Sequence, residues 1–358
     1  MVYKFCVLGF DVQSKPKPSL SCEGLDFASG WKASVCTTRL ADAHALLNWF
    51  LNKQAKTNTA AGLLLEWFAV GSCEWTLLVH PISIGAQAIN WFVCSKHKHS
   101  LIYGAFASCV LVVLAIGFGS FLNFKLGCAV LAHCFEPLIV ATLFGHRSLL
   151  DHVDSVLNRV YSTDLDLGRQ KLAMIVGRDV AVASESEVCS AVVLSLVENF
   201  CDATFSPLLF YLLWGLPGLM AYKVVDLADS LFGSLKSTSG AIGIWLAMLD
   251  DVFSYIPSRI LGLLFVTTFC AVGFGSRSFE VYKDGHSLVS LNCGLCAAAA
   301  ASHLEVRIGG SRCYKGVLIK DRQFNALARC ANGLDVRRAQ LAVNLVCLVL
   351  AAASAVLL

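Results

Sequence analysis

Residues 101–122, LIYGAFASCVLVVLAIGFGSFL, contain no charged side chain, and this run limits the fold more than any other feature of the sequence. As a helix rising 1.5 Å per residue it is about 33 Å long, enough to cross the roughly 30 Å hydrocarbon core of a bilayer. The rest of the chain is built to match. Hydrophobic residues make up 56% of it and charged residues 15%, with a mean hydropathy of +0.66. A soluble domain carries about a quarter charged residues and needs them to cover its surface. The composition therefore excludes a soluble enzyme and a disordered chain. A net charge of +3 leaves no electrostatic footprint for a nucleic acid.

Further apolar windows extend the pattern. Residues 126–146 hold only Glu136 and two histidines, and are read as a second span. Ala203 to Tyr222 is uncharged but interrupted by Pro207 and Pro217, which kink or break a helix. Ile260 to Ser276 is bracketed by Arg259 and Arg277, and Ala339 to Leu358 follows Arg337 and Arg338, cations that can snorkel to the interfaces. Residues 60–79 are apolar but include Glu66 and Glu74. The expected fold class is all-α: a multi-pass integral membrane protein with about five or six membrane segments, one of them re-entrant or broken. The apolar run from Phe5 to Phe10 is too short for the core of a secretory signal. Residues 1–58 read as an amino-terminal extension of unassigned role, and residues 59–358 as the membrane domain.

Loop charges suggest an orientation. Arg147, Arg159, Arg169, Lys171 and Arg178 lie between residues 145 and 188, and ten further Lys and Arg residues between 277 and 338. The positive-inside rule places both loops in the cytoplasm. A re-entrant hairpin within 187–222 would keep the acidic segment 223–258 on that side as well.

The scarce charges next to apolar segments are costly, so they mark functional candidates. They fall in four groups: Arg178-Asp179; Glu198-Asn199 with Asp202; Tyr222-Lys223 through Asp226 to Asp229; and Asp250-Asp251 followed by Arg259. Carboxylates gathered from separate elements are how Mg²⁺ is held beside nucleotide phosphates, while Arg and Lys neutralise a transferring phosphoryl group. No P-loop or GxGxxG motif occurs. Structural ion pairing at helix ends is the competing explanation for any one of these residues. The sixteen cysteines lie mostly in apolar runs, where a thiol packs as a small hydrophobe; Cys293 and Cys296 form the only close CxxC pair.

Read in order, these motifs resemble the adenosylcobinamide-phosphate synthase family of cobalamin biosynthesis (CobD/CbiB type). The residues concerned are Arg147-Ser148-Leu149 with Asp151-His152, Gly177-Arg178-Asp179, Glu198-Asn199 with Asp202, Tyr222-Lys223, Asp229-Ser230, Leu249-Asp250-Asp251 and Ile256-Pro257-Ser258-Arg259. Asn292 with Gly294, Val306 to Gly310 and Tyr314 with Gly316 resemble its carboxy-terminal signature, and His80-Pro81 and Glu136 fit its amino-terminal part. The resemblance covers about residues 62–358. It implies a bacterial inner-membrane enzyme with cytoplasmic basic loops that joins adenosylcobyric acid to aminopropanol phosphate, using ATP and Mg²⁺ and forming an amide. It makes Asp179, Glu198, Asp202, Asp229, Asp250 and Asp251 the expected catalytic carboxylates, with Mg²⁺ on Asp229, Asp250 and Asp251. Arg178, Asn199, Lys223, Arg259, Asn292 and Arg307 become the expected phosphate and substrate contacts. The expected partners are those two substrates and the lipid bilayer, with no nucleic acid.

The chain departs from the family pattern at several polar positions. It has Val180 for a threonine, Leu194 for a glutamate, Asp226 for an asparagine and Met248 for an arginine; Ser234 to Ser239 replaces a more polar loop, and His286 to Gly294 lacks two prolines. These losses keep a second expectation open, a catalytically degenerate membrane sensor or regulator on the same scaffold.

Overall fold

The computed structural model describes residues 61–62, 66, 81–93, 101–127, 132–162, 164–233, 236–271, 292, 294–314, 317–319 and 323–356. The expectations for residues 1–58, for most of 60–79, and for Cys293, His286 and Gly316 lie outside these residues. Helices dominate: α1 (Pro81–Val93), α2 (Leu101–Gly127), α3 (Ala132–Leu143), α4 (His146–Tyr161), α5 (Leu165–Ala173), α6 (Glu185–Phe200), α7 (Ser206–Phe232), α8 (Lys236–Ala271), α9 (Gly294–His303) and α10 (Gly333–Val356). Among the described residues three stretches are long and apolar enough to cross a membrane: Leu101–Leu126, Glu185–Phe232 and Gly333–Ser354. The molecule is a helical membrane protein.

The apolar run that begins at Leu101 forms α2, and its two faces differ. Ile102, Phe106, Val113, Leu114, Phe118, Phe121 and Phe124 point outward, as lipid contact requires. The inner face carries small residues at helical spacing, Gly104, Ser108, Ala115 and Gly119, with Leu111 between them, and all five are buried. In lipid, close backbone approach over such residues drives helix association, because burying apolar surface gains little there. At the upper end of this stripe an added Cβ on Gly119 would sit 2.6 Å from Pro217 Cα, so the side-chain-free position is what admits α7.

Helix α7 does not run straight. Gly215 has φ 64° and ψ −151°, a conformation open mainly to glycine. Unbroken helix would separate Phe210 from Gly218 by about 12 Å. Instead the Phe210 carbonyl oxygen lies 2.5 Å from where a Gly218 Cβ would be, and the Phe210 and Tyr222 rings are 5.1 Å apart. The chain folds back on itself at Gly215-Leu216-Pro217, giving α7a (206–214) and α7b (216–232). This is the broken helix expected at Pro217, whereas Pro207 sits in the first turn of α7 and leaves it intact.

Residues 126–146 differ from the expected single span. The described helix there is Ala132–Leu143, about 18 Å long, with Pro137 inside it and a non-helical step at Phe144 and Gly145. The window 260–276 starts inside α8, which begins far earlier, at Lys236.

Helix α4 is amphipathic, with Leu149, Leu150, Val153, Val156, Leu157 and Val160 buried and Arg147, Asp151 and Arg159 on the other side. Its N-cap, Gly145, offers no side chain, and the buried Glu66 supplies the cap from a distance by accepting the Arg147 N–H at 2.7 Å. Helix α6 begins with a capping box, Ser184 with Glu187. The alanine run 297–301 is wholly buried in α9, which packs against α6 and α8 as small-residue packing predicts.

A small β-element adds to the helical expectation. Strand β1 (Val306–Gly309) pairs antiparallel with β4 (Gln323–Phe324) and parallel with β5 (Arg329–Cys330), and β2 (Arg312–Tyr314) pairs with β3 (Val317–Ile319). These strands are two to four residues long, too short for alternation to stand out in the sequence.

Candidate active site

The site forms where α6 ends. After Phe200 the helix widens into a π-turn, Cys201–Phe205, which carries Asp202. Such bulges recur at functional positions because they turn a side chain off the regular helical track. Behind it, the Asn199 amide donates to the Ser195 carbonyl at 2.7 Å and to its hydroxyl at 2.9 Å. The Ser195 hydroxyl donates in turn to the Ile175 carbonyl at 3.3 Å, tying the loop that bears Arg178 and Asp179 to α6.

Two antiparallel segments pack beside the π-turn. On α7b, Tyr222, Asp226 and Asp229 fall at i, i+4 and i+7, and so share one face. On α8, Asp250 and Ser254 are one turn apart. The buried Tyr222 hydroxyl lies 3.1 Å from Ser254 Oγ, which joins the two helices. Asp202, Asp226 and Asp250 all lie within electrostatic reach of that hydroxyl. Asp202 also lies within electrostatic reach of Glu198, Asp226 and Lys223, and Asp250 within reach of Asp202, Asp226, Asp229 and Asp251. The Asn292 amide donates to the Asp251 carbonyl at 3.0 Å, bringing in the segment that precedes α9. Lys223 Nζ lies 2.8 Å from Asp226 Oδ2.

The structure thus gathers Glu198, Asp202, Lys223, Asp229, Asp250, Asp251 and Asn292 from the expected set. Asn199 stands behind them as a support. Arg178 and Asp179 occupy the loop between α5 and α6, with Arg178 in reach of Glu187 near the opposite end of α6. Arg259 lies two turns beyond Asp251 on α8, stacked over the Tyr255 ring at 3.3 Å and donating to the Tyr255 carbonyl. Arg307 sits on β1 with its guanidinium 2.7 Å from Cys330 Sγ, past the end of α9 remote from Asn292. Tyr222 and Asp226 belong to the charge groups marked in the sequence but not to the expected catalytic and substrate sets, and the 222, 226, 229 spacing adds them to the site; Ser254 carries no such signal.

Among the described residues no three His, Cys, Asp or Glu side chains converge as a preformed metal cage. Mg²⁺ does not require one, since it is commonly held by one or two carboxylates, waters and substrate phosphates. The carboxylate-rich donor set around Asp250 fits that mode. Two departures from the family pattern have packed inward: Val180 and Leu194 are 5% and 6% exposed and belong to the apolar core. Met248 faces outward on α8, 51% exposed.

The fold and site define a helical membrane protein with acidic side chains gathered beside a broken helix. Residues 59–343 match the family described as CobD/Cbib protein. The chain belongs to this CobD/CbiB family. It is 33% identical over 296 residues to the cobalamin biosynthesis protein CobD of Sinorhizobium fredii, covering 79% of this chain and 90% of that one. Identity to the Brucella anthropi protein of the same name is 32%, covering 76% and 88% of the two chains. A probable cobalamin biosynthesis protein CobD of Methanothermobacter thermautotrophicus is 31% identical, covering 64% and 77%. No solved structure matches.

Proposed function

We propose that this protein is the ATP-dependent amide synthase of cobalamin biosynthesis, attaching aminopropanol phosphate to adenosylcobyric acid to give adenosylcobinamide phosphate. Family membership supports the coarser part, a biosynthetic role in making cobalamin with corrinoid substrates. The observation that carries the finer part is the convergence of Asp202, Asp226, Asp250 and Lys223 from three helical segments on one pocket.

A carboxylate is a poor acyl donor, so it is activated first. A carboxylate oxygen of adenosylcobyric acid attacks the γ-phosphorus of ATP, ADP leaves, and an acyl phosphate forms. The amine of aminopropanol phosphate then attacks the acyl carbon, phosphate departs, and the amine loses a proton. In this reading Glu198 and Asp202 hold the incoming ammonium, one taking the proton that frees its lone pair for attack and the other the proton lost as the amide forms. Lys223 and Arg259 bind phosphate oxygens, with Arg178, Asn199, Asn292 and Arg307 as further substrate contacts and Asp179 as an outlying carboxylate. Asp229, Asp250 and Asp251 would hold Mg²⁺, which neutralises charge on the polyphosphate. The pocket would face the cytoplasm of a bacterial inner membrane, where ATP is supplied.

Membranes containing the protein, supplied with both substrates and Mg-ATP, should yield the amide product by mass spectrometry. Absence of product above an empty-membrane control, with a known synthase active in parallel, rejects the enzyme reading. The burial of Val180 and Leu194 in the core, where the family has polar residues, favours a sensor or regulator as the second reading. Corrinoid binding without turnover in the same preparation would support it.

A further inference from the structure

Building on the reading of this pocket as one that handles phosphate, we propose that Asp226 is a positioning residue for Lys223. It acts as a built-in counter-anion that an incoming phosphate has to displace. The pair is 2.8 Å long, and its side chains are only 7% and 12% exposed. They stand one turn apart on α7b, so the helix itself holds them in register. An ion pair on an open surface is screened and contributes little, whereas one with so little water around it keeps most of its Coulombic coupling. Lys223 therefore meets an arriving ligand already engaged with a carboxylate.

The surroundings give the pair its direction. Asp202 and Asp250 lie within electrostatic reach of Asp226, so this carboxylate stands among other acidic side chains. Lys223 is a cation that the structure places among them, 2.8 Å from Asp226. An arriving phosphate offers Lys223 several acceptor oxygens and a higher charge, and makes a charge-assisted bond of the stronger kind. It takes the ammonium from Asp226, and its affinity is reduced by the coupling it has to replace. In the family pattern this position is an asparagine, which cannot exert that hold. Asp226 thus tunes how tightly this chain takes the phosphate groups of its substrates.

The test is a double-mutant cycle read by binding. The full-length protein, in detergent micelles, is titrated calorimetrically with inorganic pyrophosphate and with Mg-ATP as wild type, D226N, D226E, K223Q and K223Q/D226N. Asp226→Asn keeps shape and an acceptor oxygen but removes the charge, and is expected to tighten both ligands by about five- to tenfold. D226E should bind as wild type does, and K223Q and the double variant should bind alike, because the effect passes through Lys223. Tightening of equal size with and without Lys223 would mean only general charge repulsion and would overturn the proposal. So would unchanged or weaker binding in D226N. If the wild type binds neither ligand, the phosphate-handling reading itself fails and takes this proposal with it. Size-exclusion elution and helical circular dichroism of each variant confirm that folding is retained, and the D226E result guards against a merely structural effect.

Discussion

The hydroxyl groups of Tyr222 and Ser254 meet at 3.1 Å across the interface of α7b and α8, both side chains buried. Removing one partner leaves the other polar group in a dry site. Tyr222→Phe or Ser254→Ala alone should therefore destabilise the protein by about 1–3 kcal/mol. The double variant should lose less than the sum, since nothing is then left unsatisfied. Unfolding of the solubilised protein measures all three, and strict additivity would show that the two groups do not depend on each other.

The contact between α2 and the reversal in α7 is equally specific. A methyl group at Gly119 would lie 2.6 Å from Pro217 Cα and 2.8 Å from the Leu216 carbonyl oxygen, both backbone atoms of a turn fixed by Gly215. Gly119→Ala should cost about 1–3 kcal/mol through overpacking. Gly117 provides the control on the same helix, since nothing lies within 4 Å of a Cβ there. Gly117→Ala should be neutral or stabilising by up to about 1 kcal/mol. Equal thermal midpoints for the two variants would contradict the role assigned to the turn.

Much of this architecture is legible from the residues because the membrane imposes simple rules. The uncharged run from Leu101 to Leu122 became one helix, and Pro217 beside Gly215 marked the place where α7 breaks. The window 126–146 differs from a single span because hydropathy counts apolar length without registering that α2 still runs through its first residues and that the helix stops at Phe144 and Gly145. The pocket was half legible. Charges beside apolar segments pointed to Asp202, Lys223 and Asp250, but not to which of them meet. That depends on a reversal at Gly215 whose tightness no local pattern encodes. Arg307 shows the limit of motif order: it follows Asn292 closely in sequence, yet α9 carries the chain about 15 Å along before β1 begins.

The carboxylate of Asp335 is fully buried at the start of α10 and is held by both terminal nitrogens of Arg329, each at 2.7 Å. It also accepts the Asn332 N–H at 2.9 Å, while Asn332 Oδ1 caps the helix by accepting from Leu334 and Asp335. Arg329→Ala leaves this carboxylate without its fork, but the Arg329 side chain is about half exposed and Arg338 stays 3.7 Å away, so the loss should be about 1–3 kcal/mol, less than for a fully buried pair. Lysine restores charge but not the planar two-point geometry, so Arg329→Lys should recover only part of the loss. A lysine variant as stable as wild type would show that charge alone matters.

His303 gives a pH dependence with a definite sign. Burial at the end of α9, and secondarily the positive charge of Arg338, hold its folded-state pKa below the ordinary 6.5. The unfolded chain then binds more protons than the folded one between that lowered value and 6.5, so stability rises with pH across the window. The contribution is fully present above about pH 6.5 and is lost as pH falls through the window toward the folded value. The difference in unfolding free energy between wild type and His303→Asn should therefore change through this window and level off above it. Arg338→Gln, which removes the secondary cause, should narrow the window from its acid side. A difference between wild type and His303→Asn that stays flat from about pH 5 to 8 would show that the imidazole titrates alike in both states.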